Sequence, residues 1–485
     1  MAQKVRLRGH SLKAHASDRP GNASLVRSAS ASQSGVPPAL AGRRRSAADE
    51  PLTFDGGSRV AGEKLTAKCR DDLQMRDCPD IDRAWRLASC LAVSWSMSTV
   101  ESEFETPFED IRRAVHDLCA RFPGEYWRAL DRNREYPTEF VTALTEAGYL
   151  AALVPEQYGG SGLPMSAAAV ILEEIHASGC NGAACHAQMY TMGTILRHGS
   201  DVQKQRYLPD IAKGTLRLQA FGVTEPTSGT DTLSLRTTAV RDGDHYVVNG
   251  QKIWTSRIEH SDLMVLLART TPRDKVERRS DGLSVFIVDL RDAKAGLTIR
   301  PIRTMMNHAT TEVFFDGLRV PTANLIGEEG KGFRYILSGM NAERILIAAE
   351  CIGDAKWFIR KAADYARQRV LFGRPIGQNQ GVQFPIARAY AQMRAAELMV
   401  YHAAALYQSG RDCGAEANMA KLLAADASWA AADVGIQTHG GFGFAEEFDI
   451  ERKFRETRLY QVAPISTNLI LSYLAEHVLD LPRSY

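Results

Sequence analysis

The hydrophobic period of this chain changes twice along its length, and that order constrains the fold more than any single motif. From 104 to 220, apolar residues recur at three-and-four spacing in DIRRAVHDLCARF and TEFVTALTEAGYL, followed by SAAAVILEEIHASG and DVQKQRYLPDIAKG. That spacing predicts amphipathic helices. Between 221 and 326 it gives way to short β-rich runs, among them TTAVRDGDHYVVNGQKIW, DLMVLLART, GLSVFIVDL and TEVFFDGLRV. Asp-Gly and Asn-Gly pairs among these runs predict hairpin turns. After GEEGKG (327–332) helical periodicity returns and holds to 485. YILSGMNAERILIAAECIGDAKWFIRKAADYARQRV reads as one long helix or two, and the later runs supply enough helices for an antiparallel bundle.

With 485 residues, the chain has room for about three domains. No stretch reaches the roughly 18 consecutive apolar residues of a spanning helix, so no membrane span is expected. The net charge of +2 hides an asymmetry: residues 1–96 are basic and the main body from 97 is mildly acidic. An acidic body argues against nucleic acid as a partner. The eight cysteines form no CxxC pair, which points to a reducing compartment. Cys180, Cys185 and His186 match no closed metal pattern, so no metal is expected.

The first 96 residues are a separate problem. Asp18 is the one acid in a Ser-, Ala- and Arg-rich stretch from 1 to 48, which cannot bury enough apolar surface to offset its ordering entropy. Three readings compete: a transit peptide, a basic interaction tail, or a mis-annotated extension ahead of a true start at Met97. The abrupt onset of acidic, periodic sequence after Met97 favours the last. The corresponding location is the bacterial cytoplasm, or the mitochondrial matrix if a transit peptide is present.

Several motifs carry chemistry. GEEGKG lacks the Gly-Lys-Ser/Thr ending of a nucleotide P-loop, no GxGxxG follows a strand, and no hydrolase signature appears. FGVTEPTSGTD (221–231) offers small and hydroxylated residues that let backbone N–H groups approach a ligand. Trp254 and Ser256, after NGQK, either cover and bond a planar heterocycle or belong to a sandwich core with a buried Trp. Gln437, Gly440, Gly441 and Gly443 in QTHGGFGF permit close approach to a ligand or subunit, or form a plain turn. Glu343 and Arg344 interrupt an apolar helical run, so the pair lies either on the solvent stripe or in a functional cavity. In a cavity, Glu343 would have the raised pKa that a general base near neutrality requires.

With these pieces placed, the sequence resembles the acyl-CoA dehydrogenase family. EAGYLAALVPEQYGGSGLP, VTEPTSGTD, NGQKIWTS, RQRVLFGRPIGQNQ, QTHGGFGF and ERKFRETRLYQ occur in the family's order and spacing, and the likeness covers 104–485. It implies an α+β multidomain fold: an N-terminal α-helical domain (97–220), a central β-barrel or sandwich domain (221–330) and a C-terminal four-helix bundle (331–485). It further implies FAD bound between subunits of a homotetramer, built as a dimer of dimers. By the resemblance, Phe221, Val223 and Thr224 lie along the flavin ring, Trp254 packs on it and Ser256 bonds near its reactive nitrogen. Arg369 and Phe372 of a neighbouring subunit meet the pyrophosphate and adenosine, with Gln380, Gln437 and Gly441. Ser466 joins the cofactor contacts, and Thr230 lies near the acyl-CoA pantetheine. The implied reaction is α,β-dehydrogenation of an acyl-CoA, with electrons passed to an electron-transfer flavoprotein.

Two departures stand out. Most members carry the base in a Tyr-Glu-Gly-Thr run near the C-terminus, whereas here Pro464 takes that glutamate's place in Ala463-Pro464-Ile465-Ser466. In a minority branch, including isovaleryl-CoA and long-chain enzymes, the base is a Glu before Arg on the bundle helix. Glu343-Arg344 matches that arrangement, which makes Glu343 the expected base and Arg344 its structural or electrostatic neighbour at the substrate. Proline also lacks the backbone N–H that, in the family, helps polarise the thioester carbonyl. The run NHATTEVFF places His308 and Thr310 where the family has Ser-x-Thr. Related readings are a flavin oxidase on another acid derivative, or a flavin-binding protein without turnover.

Overall fold

The computed structural model describes residues 108–293 and 295–484, so the expectations for 1–96 lie outside the described residues. Six helices come first: α1 (Glu109–Cys119), α2 (Gly124–Asn133), α3 (Thr138–Glu146), α4 (Met165–Ala177), α5 (Ala183–His198) and α6 (Asp201–Lys213). The ends of α6 are written locally. Ser200 accepts from the Gln203 amide while the Gln203 side chain returns to the Ser200 N–H, and Gly214 closes the helix at φ 76°. Helix α4 is buried on nearly every side, which explains why its sequence lacks a polar stripe.

The middle of the chain is an eight-stranded sheet. Its strands are β1 (Leu218–Gly222), β2 (Thr238–Asp242), β3 (His245–Ser256), β4 (Leu263–Arg269), β5 (Leu283–Asp289), β6 (Leu297–Pro301), β7 (Thr310–Pro321) and β8 (Leu325–Ile326). They run in the order β6-β7-β3-β2-β4-β5-β8, with β1 parallel to β4. Every residue of β4 is buried. Leu263, Val265 and Leu267 pack into a cluster with α5 and α6, while Met264, Leu266 and Ala268 point to the other face. A strand covered on both sides reads as the continuous apolar run seen here.

One turn expectation is corrected. Gly243 and Asp244 do make the two-residue β2–β3 hairpin, with Asp242 opposite His245. Asn249-Gly250 does not turn the chain: it lies inside β3, as an irregularity in the ladder with β7. The Asp316-Gly317 pair faces it across that ladder, and Asn249 Oδ1 accepts from the Gly317 N–H at 2.8 Å. A Cβ on Gly250 (φ 144°) would clash with Thr237, so glycine is needed there for close backbone approach rather than for reversal.

After the sheet, the long amphipathic run is one helix of 37 residues, α7 (Gly332–Gln368). The short hairpin β9 (Val370–Leu371) and β10 (Arg374–Pro375) follows, then α8 (Gln380–Gln408), α9 (Gly414–His439), α10 (Ile450–Thr457) and α11 (Thr467–His477). Helices α7, α8 and α9 pack against one another, and the shorter α11 packs on α9. Buried alanines along α9, from Ala417 to Ala432, let the helix axes approach closely. Helix α7 also touches α4 so closely that a side chain on Gly353 would strike the Glu173 carbonyl. Thus α7 joins the first helical layer to the last, and its middle turns are buried.

Candidate functional site

The loop that follows β1 is held from below by a buried ion pair. Lys252 Nζ lies 2.9 Å from Glu225 Oε1 and donates to the Val223 carbonyl at 2.9 Å. Glu225 in turn accepts from the Arg236 and Thr237 N–H groups. Burial pushes the Glu225 carboxyl up, but Lys252 outweighs it and holds the group below the usual carboxylate range. This pair fixes Phe221, Val223 and Thr224 in half-buried positions at the end of β1. The Thr224 carbonyl also accepts from the Ile253 N–H at 2.9 Å, which ties the loop to β3.

Directly beyond Ile253, the backbone takes the left-handed conformation at Trp254 (φ 62°), and the indole stands 56% exposed. A core tryptophan is thereby excluded; the ring is a shelf. Ser256 follows on the same strand end, its Oγ 3.4 Å from Thr310 Oγ1. Thr230 lies on the exposed part of the loop.

Glu343 is 6% exposed on the middle of α7, which rules out the solvent stripe. It makes no ion pair among the described residues, and burial pushes its carboxyl up to about 7. His186 is its strongest charged neighbour. Tyr190, one turn along α5 from His186, feels Glu343 electrostatically and packs edge-on against Phe221, ring centres 5.4 Å apart. Tyr190 thus connects the surroundings of Glu343 to Phe221 at the end of β1. Arg344 makes no ion pair with Glu343 but feels it electrostatically, and its Nη1 donates to Asn341 Oδ1 at 2.9 Å. Ser466 caps α11, accepting from the Leu469 N–H, which leaves its hydroxyl proton to donate. The Ile465 carbonyl accepts from the buried Lys421 at 2.8 Å.

A second group gathers elsewhere. The Arg369 guanidinium, at the end of α7, lies over the Phe442 ring at 5.7 Å. Phe372 is fully exposed on the β9–β10 hairpin, and Gln380 and Gln437 are exposed at the ends of α8 and α9. Around Gly440 and Gly441, a Cβ would meet open space. Among the described residues no hydrogen bond or ring contact joins this group to Trp254 or Ser256.

Both groups fit a flavin dinucleotide. The first offers an exposed aromatic face beside hydroxyls for a planar ring system. The second offers a guanidinium and an open glycine turn for a pyrophosphate.

Sequence reasoning missed the buried polar chain behind Glu343. His186 Nδ1 stands 3.2 Å from Glu350, and His176 Nδ1 stands 2.9 Å from Asp354. Lys453 Nζ reaches Asp354 at 2.5 Å, and Arg452 pairs with Glu456 at 2.9 Å. The available signal was Glu350 and Asp354 at four-residue spacing in an otherwise apolar run, since two buried acids on one face require partners. Lys252 was legible in the same way, as a lysine at an inward strand position with Glu225 in the preceding motif.

Helical layers around a sheet, an aromatic shelf at a strand end and a buried carboxyl left unpaired among the described residues fit a flavin-type oxidoreductase. Family models for the acyl-CoA dehydrogenase N-terminal, middle and C-terminal domains match residues 107–215, 220–318 and 330–479. The chain belongs to the acyl-CoA dehydrogenase family, a family of oxidoreductases. It is 36% identical over 357 residues to an acyl-CoA dehydrogenase of Bacillus subtilis, covering 73% of this chain and 92% of that one. It is 33% identical over 391 residues to acyl-CoA dehydrogenase FadE12 of Mycobacterium tuberculosis, covering 80% and 99%. The structure of butyryl-CoA dehydrogenase from Megasphaera elsdenii superposes with a TM-score of 0.71 at 28% identity, covering 78% and 100%.

Proposed function

We propose that this protein is an FAD-dependent dehydrogenase that converts an acyl-CoA thioester to the trans-2-enoyl-CoA, with Glu343 as the base. The observation that carries this reading is the Glu343 carboxyl itself, buried, unpaired and about half ionised near neutrality. A base poised there matches the working pH without a permanent counter-ion to quench it. The α-hydrogen of a thioester is acidified by the adjacent carbonyl, and Glu343 takes it as a proton. The electron pair left behind forms the new double bond as the β-hydrogen departs as hydride. Bound against Trp254 and Ser256, FAD supplies the hydride acceptor. Phe221, Val223 and Thr224 would border the ring, with Tyr190 packed edge-on against Phe221. Pro464 offers no N–H to the thioester carbonyl, so other donors must polarise it.

The exposed second group, Arg369, Phe372, Gln380, Gln437 and Gly441, serves the cofactor of a neighbouring copy in a homotetramer. Ser466 completes the cofactor contacts, and Thr230 meets the pantetheine. An electron-transfer flavoprotein collects the electrons.

The test is an anaerobic titration of the FAD-loaded chain with straight and branched acyl-CoAs, followed by visible flavin absorbance. Bleaching with formation of enoyl-CoA is expected. Flavin that no acyl-CoA bleaches would remove the dehydrogenase reading, and rapid hydrogen peroxide production in air would favour an oxidase instead.

A further inference from the structure

Arg257 is the residue after Ser256, turned from the strand by a left-handed backbone (φ 60°) and 9% exposed. A buried guanidinium ordinarily has a carboxylate beside it. Arg257 has none within ion-pair distance among the described residues, and its Nε has no hydrogen-bond partner. Among the described residues its one polar side-chain contact is His308, whose two ring nitrogens lie 3.4 and 3.3 Å from Nη1, both long for a hydrogen bond. Burial, with Arg257 and His186 adding to it, pushes His308 well below the usual histidine range, so its ring is neutral and does not balance the arginine. The Glu350 carboxylate acts on Arg257 only at longer range and is already engaged by His186.

The position of this cation is informative. Arg257 and His308 line a pocket between the α2–α3 segment and the start of β7, together with Tyr136, Asn181 and Asn307. Of the acids on that wall, Asp131 is paired with Arg455, Glu456 with Arg452, and Glu135 is exposed. Arg257 also feels the Tyr190 and Tyr136 hydroxyls electrostatically, and Tyr190 in turn feels Glu343. Glu343 and Arg257 therefore both act on one tyrosine, the base and an unpaired cation within electrostatic reach of the same hydroxyl.

We propose that Arg257, seconded by His308, binds a carboxylate at the end of the acyl chain remote from the thioester, so that the substrate is a dicarboxylic acid monothioester of CoA. This rests on the acyl-CoA reading of Glu343 and names its substrate class. A carboxylate there would supply the charge and the hydrogen bonds that the guanidinium lacks in the protein alone.

Calorimetry on the FAD-loaded Glu343→Gln chain, whose turnover is expected to be slowed by orders of magnitude, tests the point directly. The probes are the succinyl-to-suberyl series of dicarboxylic monothioesters of CoA, each against the isopropyl-ended acyl-CoA of equal length. At the fitting length the carboxylate is expected to bind about 10- to 100-fold more tightly. Arg257→Gln on that background should erase the preference and Arg257→Lys should retain part of it. Equal affinity at every length, or a preference that survives Arg257→Gln, overturns the proposal, and the first comparison needs no change at Arg257. Carboxylate-selective binding without flavin bleaching in the unsubstituted chain would instead remove the dehydrogenase reading and leave the anion subsite standing.

Discussion

Two turns of the same helix treat a buried glutamate in opposite ways. Glu343 and Glu350 lie seven residues apart on one face of α7, 6% and 3% exposed. Burial pushes both carboxyls up. At Glu343 nothing opposes it strongly and the group stands at about 7. At Glu350, His186 and His176 outweigh burial and hold the carboxyl below its usual range. Burial alone therefore does not decide which acid can exchange a proton at neutral pH; the neighbouring side chains do. One turn holds a group that is loaded and unloaded, and the other holds a fixed charge that anchors the wall behind it.

The comparison breaks most directly at Glu343. Replacing it by Gln keeps the volume and removes the base, so flavin bleaching by substrate should slow by about 10²- to 10⁴-fold while FAD stays bound. A loss below tenfold in stopped-flow absorbance would place the base elsewhere. On the anchoring side the expected effect is on stability. Lys453 and Asp354 are both fully buried, 2.5 Å apart. Lys453→Met leaves that carboxylate with His176 alone and should cost about 3–5 kcal/mol in urea unfolding. Unchanged stability would mean that the chain behind Glu350 holds nothing together.

The two turns also differ in the sign of their pH dependence. Because the folded Glu343 carboxyl holds its proton up to about 7, while the unfolded one releases it near 4.5, folding is penalised as pH rises through that window. The full penalty, present above pH 7, is about 3 kcal/mol at 1.36 kcal/mol per unit. Glu343→Gln should therefore raise the melting temperature at pH 8 and leave it nearly unchanged at pH 4. A glutamine variant that is no more stable at pH 8 would show that the native carboxyl is solvated or paired.

The helix–sheet–helix order was readable because each buried face repeats at its own period. Asn249-Gly250 misled because a turn-forming pair and a bulge-forming pair share the same residues; only the strand opposite, with Asp316-Gly317, distinguishes them. Glu343 could be singled out but not oriented, since α7 is apolar around most of its circumference near that turn. The partners of Glu350 and Asp354 were out of reach: His176 meets Asp354 across 178 residues of sequence. Arg257 follows a recognisable motif, yet nothing local shows that it lacks a counter-ion. Pairing over long sequence distance is a property of the packed chain, and it separates the base from its neighbour on the same face.

The smallest expected effect probes the link between the two turns. His186 serves Glu350 directly and also opposes the rise at Glu343, where it is the leading charged neighbour. His186→Gln keeps a polar side chain beside Glu350 but removes the group that can carry positive charge. Glu343 should then hold its proton more tightly, so the midpoint of the pH–rate profile for flavin bleaching moves to higher pH. The rate on the alkaline plateau should change little, because the base itself is intact. A midpoint that stays in place, or moves toward acid, would mean that the two turns titrate independently and that His186 belongs to the anchoring side alone.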